Sequence, residues 1–167
     1  KWANIAPNTP LYKDGKIFFC HGYNINGVML QLSDDLKSVS VVWRTDVLDT
    51  HHGGYVEVNG TIYGSNWINN NQGNWCAIDW NTGAKGYETT WTGGKGKGSI
   101  IAADGMLYCY DERRGAVALV NPDPAKFDIV SEFRITKGVG PHWAHPVIVN
   151  GVLYIRHGFA LMAYKVK

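Results

Sequence analysis

Asn59-Gly60-Thr61-Ile62-Tyr63 is a run that this chain writes four times with substitutions. It returns as Asp14-Gly15-Lys16-Ile17-Phe18, Asp104-Gly105-Met106-Leu107-Tyr108 and Asn150-Gly151-Val152-Leu153-Tyr154. The turn pairs are spaced 45, 45 and 46 residues apart. Asn-Gly and Asp-Gly favour the type I′ hairpin, whose two central residues both need positive φ. A period of this length means stacked copies of one supersecondary unit.

Reading outward from each turn gives one plan. A short strand precedes it: Tyr55 to Val58, Ile100 to Ala103, Pro146 to Val149. A second follows: Lys16 to Cys20, Thr61 to Ser65, Met106 to Tyr110, Val152 to Arg156. A loop ending in glycine leads to a third, apolar strand: Val28 to Leu32, Trp75 to Ile78, Val117 to Val120, Ala160 to Ala163. A fourth strand is expected to carry an aromatic, Trp43, Trp91 or Phe133. No segment has the length and period of an amphipathic helix.

Four antiparallel strands in about 45 residues make the blade of a β-propeller. The expected fold is therefore all-β, a propeller of four-stranded antiparallel blades with about four blades in residues 1–167. The repeats fall at about 7–48, 49–94, 95–139 and 140–167. The last repeat stops after its third strand, and Lys1-Trp2-Ala3-Asn4 reads as a fourth strand lacking its first three. Residues 1–6 are thus expected to complete the last blade, within one chain or between two. Trp2, Trp43 and Trp91 are read as structural, and Phe18, Tyr63, Tyr108 and Tyr154 as core by repeat position.

Ala77-Ile78-Asp79-Trp80-Asn81-Thr82-Gly83 followed by Trp91 resembles the A-x-D-x-x-T-G…W motif of quinoprotein-type (PQQ-like) β-propeller repeats. Gly138 to Tyr164 resembles a terminal repeat of bacterial members. The first repeat has Trp43 without Thr-Gly, and the third puts Asn121-Pro122-Asp123-Pro124 in its place. The resemblance implies a Trp docked between neighbouring blades and a periplasmic or exported protein. It also implies that many members close eight blades. Four blades with that curvature would leave two apolar faces open to water. The chain would then pair with a second copy of itself or with a missing half-propeller, or close alone as a tight ring.

Composition narrows the function. Sixteen basic and 14 acidic residues leave a formal charge of +2, which gives no electrostatic argument for nucleic acid. No apolar run approaches the roughly 20 residues of a spanning helix. Cys20, Cys76 and Cys109 form no C-x-x-C, so neither a disulfide framework nor a zinc site is indicated.

The blade plan sorts the loops into two ends. The bottom turns are plain turn formers. The top connectors hold all six histidines: His21, His51, His52, His142, His145 and His157. They also hold Tyr23, Asn66, Trp67, Lys97, Tyr110, Arg113, Trp143 and Arg156, and these fourteen residues form the candidate ligand-binding face. Pro7, His52, Lys97 and Trp143 superpose ahead of the first strands, followed by Asn8, Gly53, Gly98 and Ala144, then by Thr9, Gly54, Ser99 and His145. They are expected to ring the mouth of a central channel, where a small ligand would bind. His142-x-x-His145 and His51-His52 have ligating groups but read more readily as polar loop residues, and no metal site is assigned. Lys95-x-Lys97 lacks P-loop spacing. Asp111-Glu112-Arg113-Arg114 reads as a loop that satisfies its own ion pairs.

Two functions of different class follow. One is a scaffold that offers its top loops to a small molecule, a glycan or a protein, with no catalytic residue assigned. The other, implied by the resemblance, is a dehydrogenase using pyrroloquinoline quinone and calcium to oxidise an alcohol or sugar. The chain lacks that group's adjacent cysteines. Trp143 is its only stacking floor, and Asp111 and Glu112 are its only acidic pair on the top face.

Overall fold

The structure, a computed structural model, describes residues 6–94 and 96–166. Fifteen strands form four antiparallel sheets, each a meander in chain order. Sheet 1 comprises β1 (Leu11–Lys13), β2 (Lys16–Cys20), β3 (Gly27–Leu32) and β4 (Val39–Thr45). Sheet 2 comprises β5 (Tyr55–Val58), β6 (Thr61–Ser65), β7 (Trp75–Asp79) and β8 (Lys85–Thr89). Sheet 3 comprises β9 (Gly98–Ala103), β10 (Met106–Asp111), β11 (Ala116–Asn121) and β12 (Asp128–Arg134). Sheet 4 has β13 (Val147–Val149), β14 (Val152–His157) and β15 (Ala160–Lys165). There is no helix among the described residues, and hence none long and apolar enough to cross a membrane. The proposed closing strand at Lys1 to Asn4, with Trp2, and the basic residue Lys95 lie outside the described residues.

The four hairpins form as their chemistry dictates. Asp14, Asn59, Asp104 and Asn150 all have φ near +50°, and the glycine after each is also positive. A less legible feature recurs with them. The register between the third and fourth strands shifts after Met29, Ala77 and Leu119. These three residues pair with Phe18, Tyr63 and Tyr108, so the bulge occupies one position of the repeat. A bulge there sharpens the twist of each outer strand.

Consecutive sheets pack face to face. Phe18, Met29, Leu48, Ile62 and Ile78 fill the first interface. Tyr63, Trp75, Trp91, Leu107 and Val120 fill the second, and Tyr110, Val117, Leu153 and Ile155 the third. Removing these faces from water is the main drive for stacking. The three cysteines are unpaired and buried. Burial pushes their thiols up, Cys20 to about 12, so they pack as small apolar groups.

Two expectations need correction. The aromatics Trp43, Trp91 and Phe133 do not occupy one repeat position. Trp43 pairs with Met29, Phe133 pairs with Val117 two residues farther along the blade, and Trp91 lies beyond the end of β8. Each answers a different neighbour in the next blade: Trp43 the Trp80 carbonyl, Trp91 the ring of Phe127, Phe133 the ring of Tyr164. Nor are all four repeat aromatics core. Phe18 and Tyr63 are 0% and 1% exposed, whereas Tyr154 is 37% exposed. Tyr154 shares the outward face of sheet 4 with Val147, Val149 and Leu161, and no described strand covers that face.

Candidate functional site

The top connectors converge, and the contact begins with a buried carboxylate. Asp49, just before β5, is 3% exposed. Its Oδ1 accepts from the N–H groups of Gly22 and Asn26, at 2.7 and 3.1 Å, and its Oδ2 from that of Asn24 at 2.7 Å. Burial raises the carboxyl above its ordinary value against the pull of these donors. The β2–β3 loop is wrapped so tightly that Tyr23, Asn24 and Asn26 all take positive φ, near 60–70°. A tyrosine there is strained, and such strain persists only where the surroundings impose it.

That loop delivers Tyr23 to the histidines. Its hydroxyl lies 2.6 Å from His51 Nε2, and its ring contacts Trp67 with centroids 5.0 Å apart. His51 contacts His52, whose ring contacts Trp143. Burial first, and then the neighbouring His52 and Lys97, hold the His51 imidazole below its ordinary range. Trp67 donates from Nε1 to Asn70 Oδ1. His145 Nε2 lies 2.9 Å from the His52 carbonyl oxygen and so ties the last connector to the second.

Beneath these rings sits an ion pair. Lys97 is 3% exposed, and its Nζ lies 2.5 Å from Glu112 Oε1 while donating to the carbonyls of Asn69 and Asn70. Glu112 Oε2 lies 3.1 Å from His52 Nε2. Burial pushes Glu112 up, but His52 and Lys97 outweigh it and hold the carboxyl below its ordinary value. The Asp111–Arg114 loop therefore does not pair its own charges. Asp111 Oδ2 accepts from the N–H groups of Arg113 and Arg114, Glu112 reaches Lys97, and Arg113 donates to the Asn71 carbonyl.

A second group stands apart, between sheets 3 and 4. Tyr110 is fully buried, with its hydroxyl 2.5 Å from His142 Nδ1. His142 stacks on His157 with centroids 3.7 Å apart. The two ring nitrogens of His157 each lie 2.7 Å from a carbonyl oxygen, of Lys137 and of Gly140. This group locks two blades together.

The remaining expected residues play other parts. Asn66 is buried and used up by the Val47 carbonyl, Glu88 and the Asn74 N–H. Arg156 is exposed on the outward face of sheet 4, away from the cluster. His21 is half-buried, with Nδ1 unbonded among the described residues. A cavity lies beside His52 and His145, and neither Lys97 nor Trp143 lines it. It holds about 300 Å³ and is lined by Asn8, Thr9, Leu11, His52, Tyr55 and His145 among others. Asn8 fixes its wall, donating to the carbonyls of Thr50 and His51 and accepting from the Gly54 N–H. Asp49 was not expected at the site, because the turns it stabilises have no compositional mark apart from Gly22 and two asparagines.

No family model matches the chain, and no curated protein matches it. Solved structures do. BamB from Moraxella catarrhalis is similar over 95% of this chain and 42% of its own, with a TM-score of 0.68 and 16% identity. Its fold is that of a quinoprotein-type (PQQ-like) β-propeller. A quinohemoprotein alcohol dehydrogenase from Pseudomonas putida HK5 is similar over 91% of this chain and 28% of its own, with a TM-score of 0.60 and 16% identity. The glutaminyl cyclase of Myxococcus xanthus matches over 98% and 67%, with a TM-score of 0.55 and 19% identity. The chain thus shares a β-propeller fold with them and spans less than half the length of the first two.

The donor set does not fit quinone and calcium. Cys20, Cys76 and Cys109 lie in three different sheets. The carboxylates of Asp111 and Glu112 diverge, one onto its own loop backbone and the other onto Lys97. Trp143 meets its neighbour His52 edge-on at the rim. Among the described residues no three His, Cys, Asp or Glu side chains converge to hold an ion.

Proposed function

We propose that this chain is a binding scaffold: a PQQ-like propeller that offers its top connectors, and the cavity mouth beneath them, to a ligand or partner. The observation that carries this reading is the convergence of connectors from all four sheets on His52, Trp143 and His145, above a buried ion pair that fixes them. The opposite end of the blades carries turns that satisfy their own backbone, such as Asp79 on Asn81 and Thr82. Function carried on loops held by a rigid frame is the common arrangement.

The partner for the frame itself is more propeller. The outward faces of sheet 4 (Val147, Val149, Tyr154, Leu161) and of sheet 1 (Tyr12, Ile17, Phe19, Leu30) match faces that are covered elsewhere in the chain. A second copy, or the rest of a longer chain, would cover both. An exported or periplasmic location belongs to the same reading and rests on the likeness in fold.

The test is a thermal-shift screen of small molecules, peptides and oligosaccharides. A ligand whose stabilisation disappears in Trp143→Ala/His145→Ala, and persists in Asp35→Ala/Lys37→Ala at the far end, supports the reading. Ligands that ignore the first variant overturn it.

A further inference from the structure

Five rings of the top connectors touch in succession, each tilted or edge-on to the next: Trp67, Tyr23, His51, His52 and Trp143. Successive centroids lie 5.0, 4.8, 4.7 and 5.4 Å apart. The series crosses connectors of sheets 1, 2 and 4, so the fold, not the local sequence, assembles it. We infer that this aromatic strip is a binding site for a neutral oligosaccharide laid along the top face, an inference that rests on the scaffold reading above.

Three features select this ligand. An indole stands at each end, and Trp143 is 56% exposed. Indole faces accept the C–H faces of pyranose rings, and an amphipathic ring with a polar edge suits a ligand that is apolar on its faces and hydroxylated at its rim. The connectors that carry Tyr23 and Trp67 also carry the exposed residues Asn24 and Asn71, whose amides can donate and accept at once, as a sugar hydroxyl requires. Lastly, the described cations nearest the strip are already engaged. The ammonium of Lys97 is consumed by Glu112 and two carbonyls, and the Arg113 guanidinium is tied to the Asn71 carbonyl. The strained loop around Tyr23, held by Asp49, sets the second ring of the series in place.

The experiment titrates the intact chain with cellohexaose, maltohexaose and N-acetylchitohexaose, following Trp emission and heat. Saturable binding of at least one is expected, tighter than that of its disaccharide by about tenfold or more because a longer chain can meet several rings at once. Trp143→Ala should weaken it by about tenfold or more with an unchanged melting temperature, as truncation of an exposed anchor does. Trp67→Ala should act likewise; if it does not fold, the exposed Trp143 decides alone. Tyr23→Phe keeps the ring and should lose little. Failure of all three sugars to saturate by about 10 mM overturns the inference, since weaker binding would not be specific. So does binding that is indifferent to Trp143→Ala, or a preference for oligogalacturonate. If a peptide or small molecule binds and is lost in Trp143→Ala while no hexasaccharide binds, the glycan assignment falls and the scaffold reading stands.

Discussion

The indole of Trp43 lies against Gly83 across the first blade interface. A Cβ added at Gly83 would fall 2.6 Å from Trp43 Cε3, and Trp43 Nε1 donates to the Trp80 carbonyl at 3.3 Å. This relationship explains the Asp79…Thr82-Gly83 motif. Asp79 Oδ1 accepts from the Asn81 and Thr82 N–H groups and the Thr82 hydroxyl, closing the turn. Gly83 then leaves it at φ +70°, presenting a bare surface to the preceding blade. Gly83→Ala meets both a left-handed backbone and an indole. A loss of about 2–3 kcal/mol is expected, combining the backbone cost with displacement of the ring. In a chain of this length that lowers the melting temperature by roughly 5–10 °C. A shift of under a degree would mean that the ring is not packed there.

Trp91 makes the second junction by other means. It is 2% exposed, contacts Trp75 and Phe127, and donates from Nε1 to Glu132 Oε2 of the next blade at 2.8 Å. Trp91→Ala should cost about 3–5 kcal/mol, as large-to-small changes at aromatic core positions do. Trp91→Phe should cost about 1–2, the lost hydrogen bond plus part of the packing. Denaturant unfolding checks the order of the two. Equal losses would show that the ring contributes nothing beyond the bond.

Lys97 and Glu112 should prove structural rather than ligand-contacting. Removing one partner leaves the other charge buried, so Lys97→Met or Glu112→Gln alone should cost about 3–5 kcal/mol. The pair Lys97→Met/Glu112→Gln should cost much less than the summed singles, because no unpaired charge remains. Additive losses in the double-mutant cycle would refute the pairing.

The periodic parts of this fold are local and therefore legible. Asn-Gly turns and alternating strands carry their chemistry within five residues, and all four hairpins stand where the sequence puts them. What stayed hidden acts through space. Asp49 holds N–H groups 23 to 27 positions earlier in the chain. Lys97 reads from the sequence as a candidate ligand-binding residue, because nothing in its neighbours announces Glu112 beside it. The fourth-strand aromatics looked equivalent by spacing, yet each is placed by the blade that follows. All six histidines sit in connectors between strands or at strand ends, but which of them meet, His51 with His52 and His142 with His157, depends on which loops bend inward.

That stack makes acid stability a specific test. Burial first, and then the neighbouring His157, hold the His142 imidazole down at about 4, against about 6.5 for a free histidine. The ring lies 2.5 Å from the Tyr110 hydroxyl and stacks on His157, so protonation sets a buried cation against a second imidazole. Between pH 6.5 and 4 the unfolded chain binds the proton and the folded chain does not, so stability must fall as pH falls through this window. Above about 6.5 both forms are neutral and the contribution is complete. His142→Asn keeps a hydrogen-bonding partner for Tyr110 and removes the titrating ring. Melting curves at about pH 7, 5.5 and 4.5 should therefore fall less steeply for this variant than for the parent chain, while the two nearly coincide in slope above about pH 7. Parallel curves through the acid range would show that His142 titrates as freely in the folded chain as in the unfolded one, and that the stack does not exclude its proton.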